Sequence, residues 1–129
     1  MGLESSVTGI IPFEECLPAP GQGAVVCELR AGESELRELV GSIDHAASAR
    51  AVEAERSFLA ALGGGCRTPI AAYACEEEGT LKLRGFVGES SGRRCLEGMA
   101  VGVPLEPKAL GEKLARDLLA RGAGELLAP

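Results

Sequence analysis

The residue best placed to do chemistry in this 129-residue chain is Cys66, in the stretch GGGCRTPIAAYA of residues 63–74. The glycines before it can end a helix and leave its sulfur reachable, because glycine has no side chain to cover a neighbour. A helix C-terminus disfavours the thiolate and Arg67 favours it, so position alone does not predict an activated nucleophile. An accessible thiol could still add to a very reactive electrophile. The alternative interpretation is a half-buried structural cysteine that follows a helix.

Two further polar positions give weaker functional signals. Gln22 lies between two glycines in LPAPGQGA, residues 17–24, and could present its amide to a cleft, although a plain turn is the alternative. Arg56 falls among the charged positions of a predicted helix, together with Glu53 and Glu55. Most arginines in such positions are solvated surface residues.

The histidine and cysteine content does not predict a metal site. His45 is the only histidine, lies far from any cysteine in sequence and is interpreted as a polar residue in the first turn of a helix. The five cysteines contain no C-x-x-C pair, which indicates free thiols in a reducing compartment. The run of glutamates at residues 76–78 is typical of a solvated turn.

Composition limits the classes of protein to which the chain can belong. A net charge of −6 argues against a nucleic-acid-binding protein, which needs a basic face, and against a stand-alone receptor for acidic small molecules. No basic segment followed by an apolar run begins the sequence, and no apolar stretch approaches the about 18 residues of a membrane span. We therefore expect a soluble, cytoplasmic protein that contacts neither membrane nor nucleic acid.

A long helix is predicted immediately before Cys66. Ser42 or Asp44 could cap its N-terminus, because their side-chain oxygens can accept hydrogen bonds from free backbone N–H groups. The glycines from Gly63 onward would end it. Apolar residues recur through it at helical spacing: Ala51, Ala54, Phe58 and Leu62.

Three strand patterns and a last helix are predicted after Cys66. The strands cover residues 70–75, 81–88 and 94–101. Glycine-containing turns at residues 78–79 and 91–92 would join them as hairpins. The last helix covers residues 108–120. This order predicts an α+β fold, a three-stranded antiparallel sheet with helices on one face.

Residues 1–43 do not contain a complete structural unit. Residues 1–16 hold one short apolar stretch and look like the tail of a unit that begins earlier. The β-branched pattern of residues 24–30 predicts a strand, and residues 33–40 predict a short amphipathic helix. A strand without its sheet exposes hydrogen-bonding edges, so we expect residues 1–43 to be the less stable part of the chain.

Four motifs together resemble the porphobilinogen deaminase family, whose members are also called hydroxymethylbilane synthases. The motifs are LPAPGQGA before a strand ending in Glu-x-Arg, AERSFL, GGCRTPIAAYA and LKLRGFVG. Their order and the interval from Arg30 to Cys66 agree with the family, and the resemblance covers essentially the whole chain. It implies the C-terminal part of a longer three-domain enzyme. Residues 1–16 would be the tail of the second domain, 17–43 a crossover strand and helix of the first, and 44–129 the third.

The resemblance also implies a cofactor and a reaction. Cys66 would carry a dipyrromethane through a thioether. The family adds four porphobilinogen molecules head to tail to this primer, with release of ammonia, and then frees hydroxymethylbilane. A chain that grows while tethered stays at high effective concentration. The complete enzyme is expected to be a monomeric transferase of tetrapyrrole and haem biosynthesis, with porphobilinogen as its substrate.

The sequence departs from a complete member of the family. The family's catalytic aspartate and most of its basic cleft lie upstream, so the resemblance implies no catalytic residue here and an inactive fragment whose partners are the missing N-terminal domains. Gly63 stands where the family often has glutamate, and Arg67-Thr68 where glutamine-valine is common. Two other hypotheses stay open: an independent α+β interaction module, and a thiol-based carrier or redox protein that uses Cys66.

Overall fold

The computed structural model of the chain describes residues 2–64 and 68–127. Cys66, on which the expected cofactor site depends, lies outside the described residues, as do its neighbours Gly65 and Arg67. The segment that contains Cys66 connects the longest described helix to the first strand of a sheet. Within the described ranges, no helix combines the length and the apolar character needed to cross a membrane.

The described residues form four α-helices and three β-strands after a short 3₁₀ turn at Glu4–Ser6. In chain order the elements are α1 (Ser34–Gly41), α2 (Ala46–Ala61), β1 (Ile70–Glu77), β2 (Thr80–Gly88), β3 (Cys95–Gly102), α3 (Pro107–Ala120) and α4 (Ala123–Leu127). The predicted helix–strand–strand–strand–helix order is therefore confirmed. The five-residue α4 was not predicted, because it is too short to show a helical period.

The three strands pair antiparallel in the order β1-β2-β3. Glu78 and Gly79, between β1 and β2, have positive φ angles of 49° and 74°, which is the backbone of a tight two-residue hairpin turn. Buried residues alternate with less buried ones along β1 and β2, because only one face of the sheet packs against helices. The predicted α+β fold with helices on one sheet face is confirmed.

The helices approach the sheet closely over a row of small residues. Ala72, Gly85 and Gly98 lie opposite one another across the three strands. A Cβ atom on Gly85 would lie 2.5 Å from Cζ of Phe58, so the ring of this α2 residue occupies the space that a side chain would fill. Leu114 of α3 covers Gly98 in the same way. The rest of the core is aliphatic, which agrees with the 3% aromatic content.

The predicted capping of α2 is wrong at one end and correct at the other. His45, rather than Ser42 or Asp44, caps the N-terminus, because its ring nitrogen accepts a hydrogen bond from the Ser48 backbone N–H. Ser42 instead ends α1, where its hydroxyl donates to the Leu39 carbonyl. At the C-terminus, Gly63 has a φ of 68° and ends the helix as predicted.

Residues 24–30 do not form the predicted strand. They have no hydrogen-bonded partner strand in the described part of the chain, and the side chains of Val25 and Val26 are 93% and 72% exposed. β-Branched residues favour an extended backbone, but a strand needs a neighbour to which its N–H and C=O groups can bind. The helix predicted over residues 33–40 is present as α1, with Leu36 and Leu39 exposed.

We predict that Gly111→Ala destabilises the protein by about 1–3 kcal/mol, because the added methyl group overpacks the contact between α3 and α2. A Cβ at this position would collide with the Ala54 carbonyl oxygen and lie 2.7 Å from the Phe58 backbone nitrogen. Backbone atoms cannot rotate away as a flexible side chain can. The free energy of unfolding in urea measures the effect.

Gly124→Ala in α4 is the matched control. A Cβ there would meet nothing closer than 3.8 Å, so we expect a change within about 0.5 kcal/mol. Equal free energies of unfolding for Gly111→Ala and wild type would show that α2 and α3 do not pack as closely as described.

Candidate functional site

The two ends of the Cys66 segment are fixed to the body of the protein. Gly63 N–H donates to the Ala60 carbonyl and Gly64 N–H to the Leu59 carbonyl, a Schellman arrangement that closes α2. A Cβ on Gly64 would collide with Cδ1 of Ile70, so the end of α2 packs directly against the start of β1. Gly64 and Ile70, which lie on either side of the Cys66 connection in the chain, are therefore neighbours in space.

The strand side of this connection is held by backbone hydrogen bonds. Ile70 N–H donates to the Thr68 carbonyl at 2.8 Å, and Gly88 N–H at the end of β2 donates to the Pro69 carbonyl at 2.8 Å. These contacts join the residues after Cys66 to two strands at once. The attachment segment predicted from the sequence thus begins and ends on rigid elements, a favourable arrangement for holding a covalently bound group.

Glu55 is the buried charged residue of the described structure, with only 6% of its surface exposed. Its Oε2 accepts the Gly21 backbone N–H and its Oε1 accepts the Ala74 backbone N–H, both at 2.7 Å. Burial raises the pKa of this carboxyl, while the two backbone hydrogen bonds act in the opposite direction. Glu55 thereby links the α2 helix, the β1 strand and the loop of residues 17–23.

The sequence analysis grouped Glu55 with Glu53 and Arg56 as charged positions of the helix and did not predict that Glu55 is buried. Glu53 and Arg56 are indeed exposed. Glu55, however, lies four residues after Ala51 and three before Phe58, so it shares the buried side of α2 with the predicted apolar positions. That helical spacing was the signal that could have identified it.

The loop of residues 17–23 covers the free edge of β1. The Pro18 carbonyl accepts the Ala72 N–H at 3.0 Å, and Glu55 takes the next outward-pointing amide along the strand, that of Ala74. Both groups satisfy donors that an exposed edge would otherwise offer to another chain. Gln22, the candidate cleft residue of this loop, has an exposed side chain and follows Gly21, whose φ is 76°.

A second upstream segment covers part of the outer face of the sheet. The ring of Phe13 stacks on that of Tyr73, with centroids 3.9 Å apart and planes inclined by 16°. Arg84 Nη1 donates to the Phe13 carbonyl at 3.2 Å. Residues 13–17 and the sheet line a partly open pocket of about 210 Å³, whose lining includes Cys16 and Phe86.

The predicted solvated turn at residues 76–78 is wrong for two of its three glutamates. Glu76 and Glu77 belong to β1, and only Glu78 lies in the turn. Glu76 accepts from Nε and Nη2 of Arg50 in α2 at 3.0 and 2.6 Å, on the helix-covered side of the sheet. Glu77 pairs with Lys82 at 2.7 Å, which lowers the pKa of this carboxyl.

The chemistry available to the described residues is limited. Within residues 2–64 and 68–127, no group of three histidine, cysteine or acidic side chains could hold a metal ion. The Cys75 thiol donates to Oε1 of Glu77, and burial raises the pKa of this thiol, as does the adjacent Glu77 charge. Such a thiol is a poor nucleophile at neutral pH.

Comparison with known proteins places the chain in a family of enzymes built from several domains. Residues 49–120 match the family model described as porphobilinogen deaminase, C-terminal domain. Because this match covers more than half of the chain, the protein belongs to the porphobilinogen deaminase family. The matched region begins in α2 and ends with α3, and so contains the Cys66 segment and the entire sheet.

Relatives named porphobilinogen deaminase are similar over nearly the whole chain. The relative from Moorella thermoacetica is 52% identical over 91% of this chain and 37% of its own length. Those from Carboxydothermus hydrogenoformans and Pelotomaculum thermopropionicum are each 42% identical over 98% of this chain and 41% of their own length. The chain therefore spans about two fifths of the length of the relatives that it matches.

We predict that Glu55 makes the stability of the protein depend on pH between the ordinary glutamate pKa of 4.5 and its own raised value. The folded state keeps this proton to higher pH than the unfolded chain does. The contribution of Glu55 to the free energy of unfolding is thus fully present below 4.5 and decreases as pH rises through the raised pKa.

Urea unfolding at a series of pH values measures this dependence. Glu55→Gln should flatten it, because the amide does not titrate, whereas Glu53→Gln, an exposed change in the same helix, should retain it. Superimposable profiles for wild type and Glu55→Gln would show that the carboxyl is not held in a buried environment.

Proposed function

We propose that the chain is the C-terminal, primer-bearing part of a hydroxymethylbilane synthase, the transferase that joins four porphobilinogen molecules into hydroxymethylbilane with release of ammonia. The observation that carries this proposal is the family match over residues 49–120, which includes the Cys66 segment. The names of the relatives support the same assignment. In this assignment, residues 1–16 belong to the second domain, 17–43 to the first and 44–129 to the third.

Cys66 is the attachment residue in this proposal. Its Sγ forms a carbon–sulfur bond with the electrophile that porphobilinogen becomes on losing ammonia, and the thiol proton is released. A strong electrophile needs an accessible sulfur more than an activated one. When bound, dipyrromethane supplies the terminal pyrrole from which the product grows.

The described residues fit a role in holding such a group. The residues on either side of the Cys66 segment make three contacts with the body of the protein. Gly64 packs against Ile70, and the carbonyls of Thr68 and Pro69 accept backbone hydrogen bonds. A primer attached there would be joined through the ends of this segment to α2 and to two strands. Anchoring of this kind keeps the growing end at high effective concentration.

The remainder of the site belongs to the part of the enzyme upstream of this chain. Pyrroles of this pathway carry acetate and propionate groups, whose recognition needs several arginines and lysines. A chain of net charge −6 does not supply a basic cleft, and Arg50 is already paired with Glu76. We therefore infer that the chain alone is inactive and that the N-terminal domains are its partners.

We predict that this chain, mixed with the N-terminal domains of the Moorella thermoacetica relative, consumes porphobilinogen in a discontinuous assay, with preformed hydroxymethylbilane supplied to start primer assembly. Neither part alone should show turnover. Cys66→Ser should lower the rate of the mixture by about a thousandfold or more, because a hydroxyl is too weak a nucleophile to hold the primer.

Cys95→Ser is the matched control, since Cys95 is an exposed thiol at the start of β3. It should leave the rate of the mixture unchanged. Wild-type turnover by the Cys66→Ser mixture, or loss of turnover through Cys95→Ser, would contradict the attachment assignment.

A further inference from the structure

The loop of residues 17–23 is bound to the helix–sheet unit although it precedes α2 by more than twenty residues. The Pro18 carbonyl accepts the Ala72 N–H of β1. Gly21 donates its N–H to Glu55 of α2. Between this loop and α2, by contrast, residues 24–30 form no strand, and α1 contacts no other helix or strand of the described structure. The loop is thus held selectively.

The carboxylate that holds the loop is costly to bury. Glu55 is 6% exposed, and no arginine, lysine or histidine of the described residues forms an ion pair with it. Its charge is satisfied instead by two backbone N–H donors, one on each oxygen. An apolar side chain would fill this part of α2 at lower cost in solvation but could bind neither amide.

Two of the three segments that meet at Glu55 flank the Cys66 connection in the chain. Glu55 itself lies in α2, the element that leads into the connection, and Ala74 lies in β1, the element that follows it. Gly21 is the neighbour of Gln22 in the loop. The carboxylate of one helix residue therefore binds both the strand and the loop.

We propose that Glu55 is a positioning residue, which fixes the loop of residues 17–23, and Gln22 within it, against the two elements that carry the Cys66 segment. The proposal rests on the proposed function in taking Cys66 as the primer attachment residue. It adds that the loop moves as one body with the C-terminal unit.

Hydrogen exchange of the whole chain tests the geometry independently of the reaction. In Glu55→Gln the carboxamide offers one acceptor oxygen, so one of the two amides loses its acceptor. In Glu55→Asp the shorter side chain cannot reach both donors. In each variant the amide of Gly21 or Ala74 should exchange at least about tenfold faster relative to the buried-core amide of Leu83. A global loss of stability accelerates all three amides together and leaves these ratios unchanged.

Glu53→Gln is the control, because Glu53 is exposed and lies in the same helix two residues earlier. Its ratios should equal those of wild type. Wild-type ratios for both Gly21 and Ala74 in both Glu55 variants would overturn the proposal.

Kinetics of the mixture with the N-terminal domains test the positioning role. Glu55→Gln should acquire the primer to the wild-type extent by intact mass, yet lower kcat at least about tenfold with little change in KM, since misplacement of a positioning group slows the reaction step. A wild-type kcat would overturn the role. If wild-type chain itself gave no turnover, the proposed function would fail, and hydrogen exchange alone would decide whether Glu55 holds the loop.

Discussion

A buried carboxylate connects the parts of this chain that are far apart in sequence. Glu55 accepts one hydrogen bond from Gly21 and one from Ala74, both at 2.7 Å. Hydrogen bonds to a charged group each contribute about 1.5–3 kcal/mol, and these two offset part of the cost of removing the charge from water, whose remainder raises the pKa of the carboxyl. Because the acceptor sits in α2, the upstream loop, the edge of the sheet and the helix before Cys66 share one fixed point.

Close packing between helices and sheet makes this fixed point possible. The small residues Ala72, Gly85 and Gly98 let Phe58 and Leu114 lie directly on the strands. Gly111 similarly lets the backbones of α2 and α3 approach each other. With α2 held so near β1, a glutamate side chain on its buried side can reach the amides at the strand edge. Because the helices lie so close to the strands, the core is filled with few aromatic residues.

The regular elements of the C-terminal unit could be predicted from the sequence because local signals agree with tertiary packing. Two glycine-containing turns define the hairpins, and the apolar spacing of α3 places Leu110, Leu114 and Leu118 in the core. The prediction of a strand over residues 24–30 was wrong because β-propensity alone does not form a strand, which also needs a neighbouring strand to pair with. The predicted N-cap of α2 was wrong because Ser42, Asp44 and His45 lie close together in the sequence, and the fold selects His45 among them.

The candidate site was predictable in part. The motif around Cys66 indicated a candidate residue and, through the resemblance, predicted the family that the comparisons confirm. No local pattern, by contrast, shows that a charged residue will be buried. Glu55 shared its helix face with Ala51 and Phe58, but charged residues are so seldom fully buried that the charge outweighed the spacing. Its function depends on Gly21 and Ala74, and contacts at such separations follow from the fold and not from the sequence nearby.

The central claim is that this chain carries the primer of the synthase on Cys66. Intact mass spectrometry of the chain, recovered after incubation with the N-terminal domains and preformed hydroxymethylbilane and then with porphobilinogen until product is released, tests it most directly. The account predicts an added mass of two linked pyrrole units on the wild-type chain, located by peptide mapping to Cys66 and absent from Cys66→Ser. An unmodified wild-type chain, or the same added mass on Cys16, Cys27, Cys75 or Cys95, would contradict it.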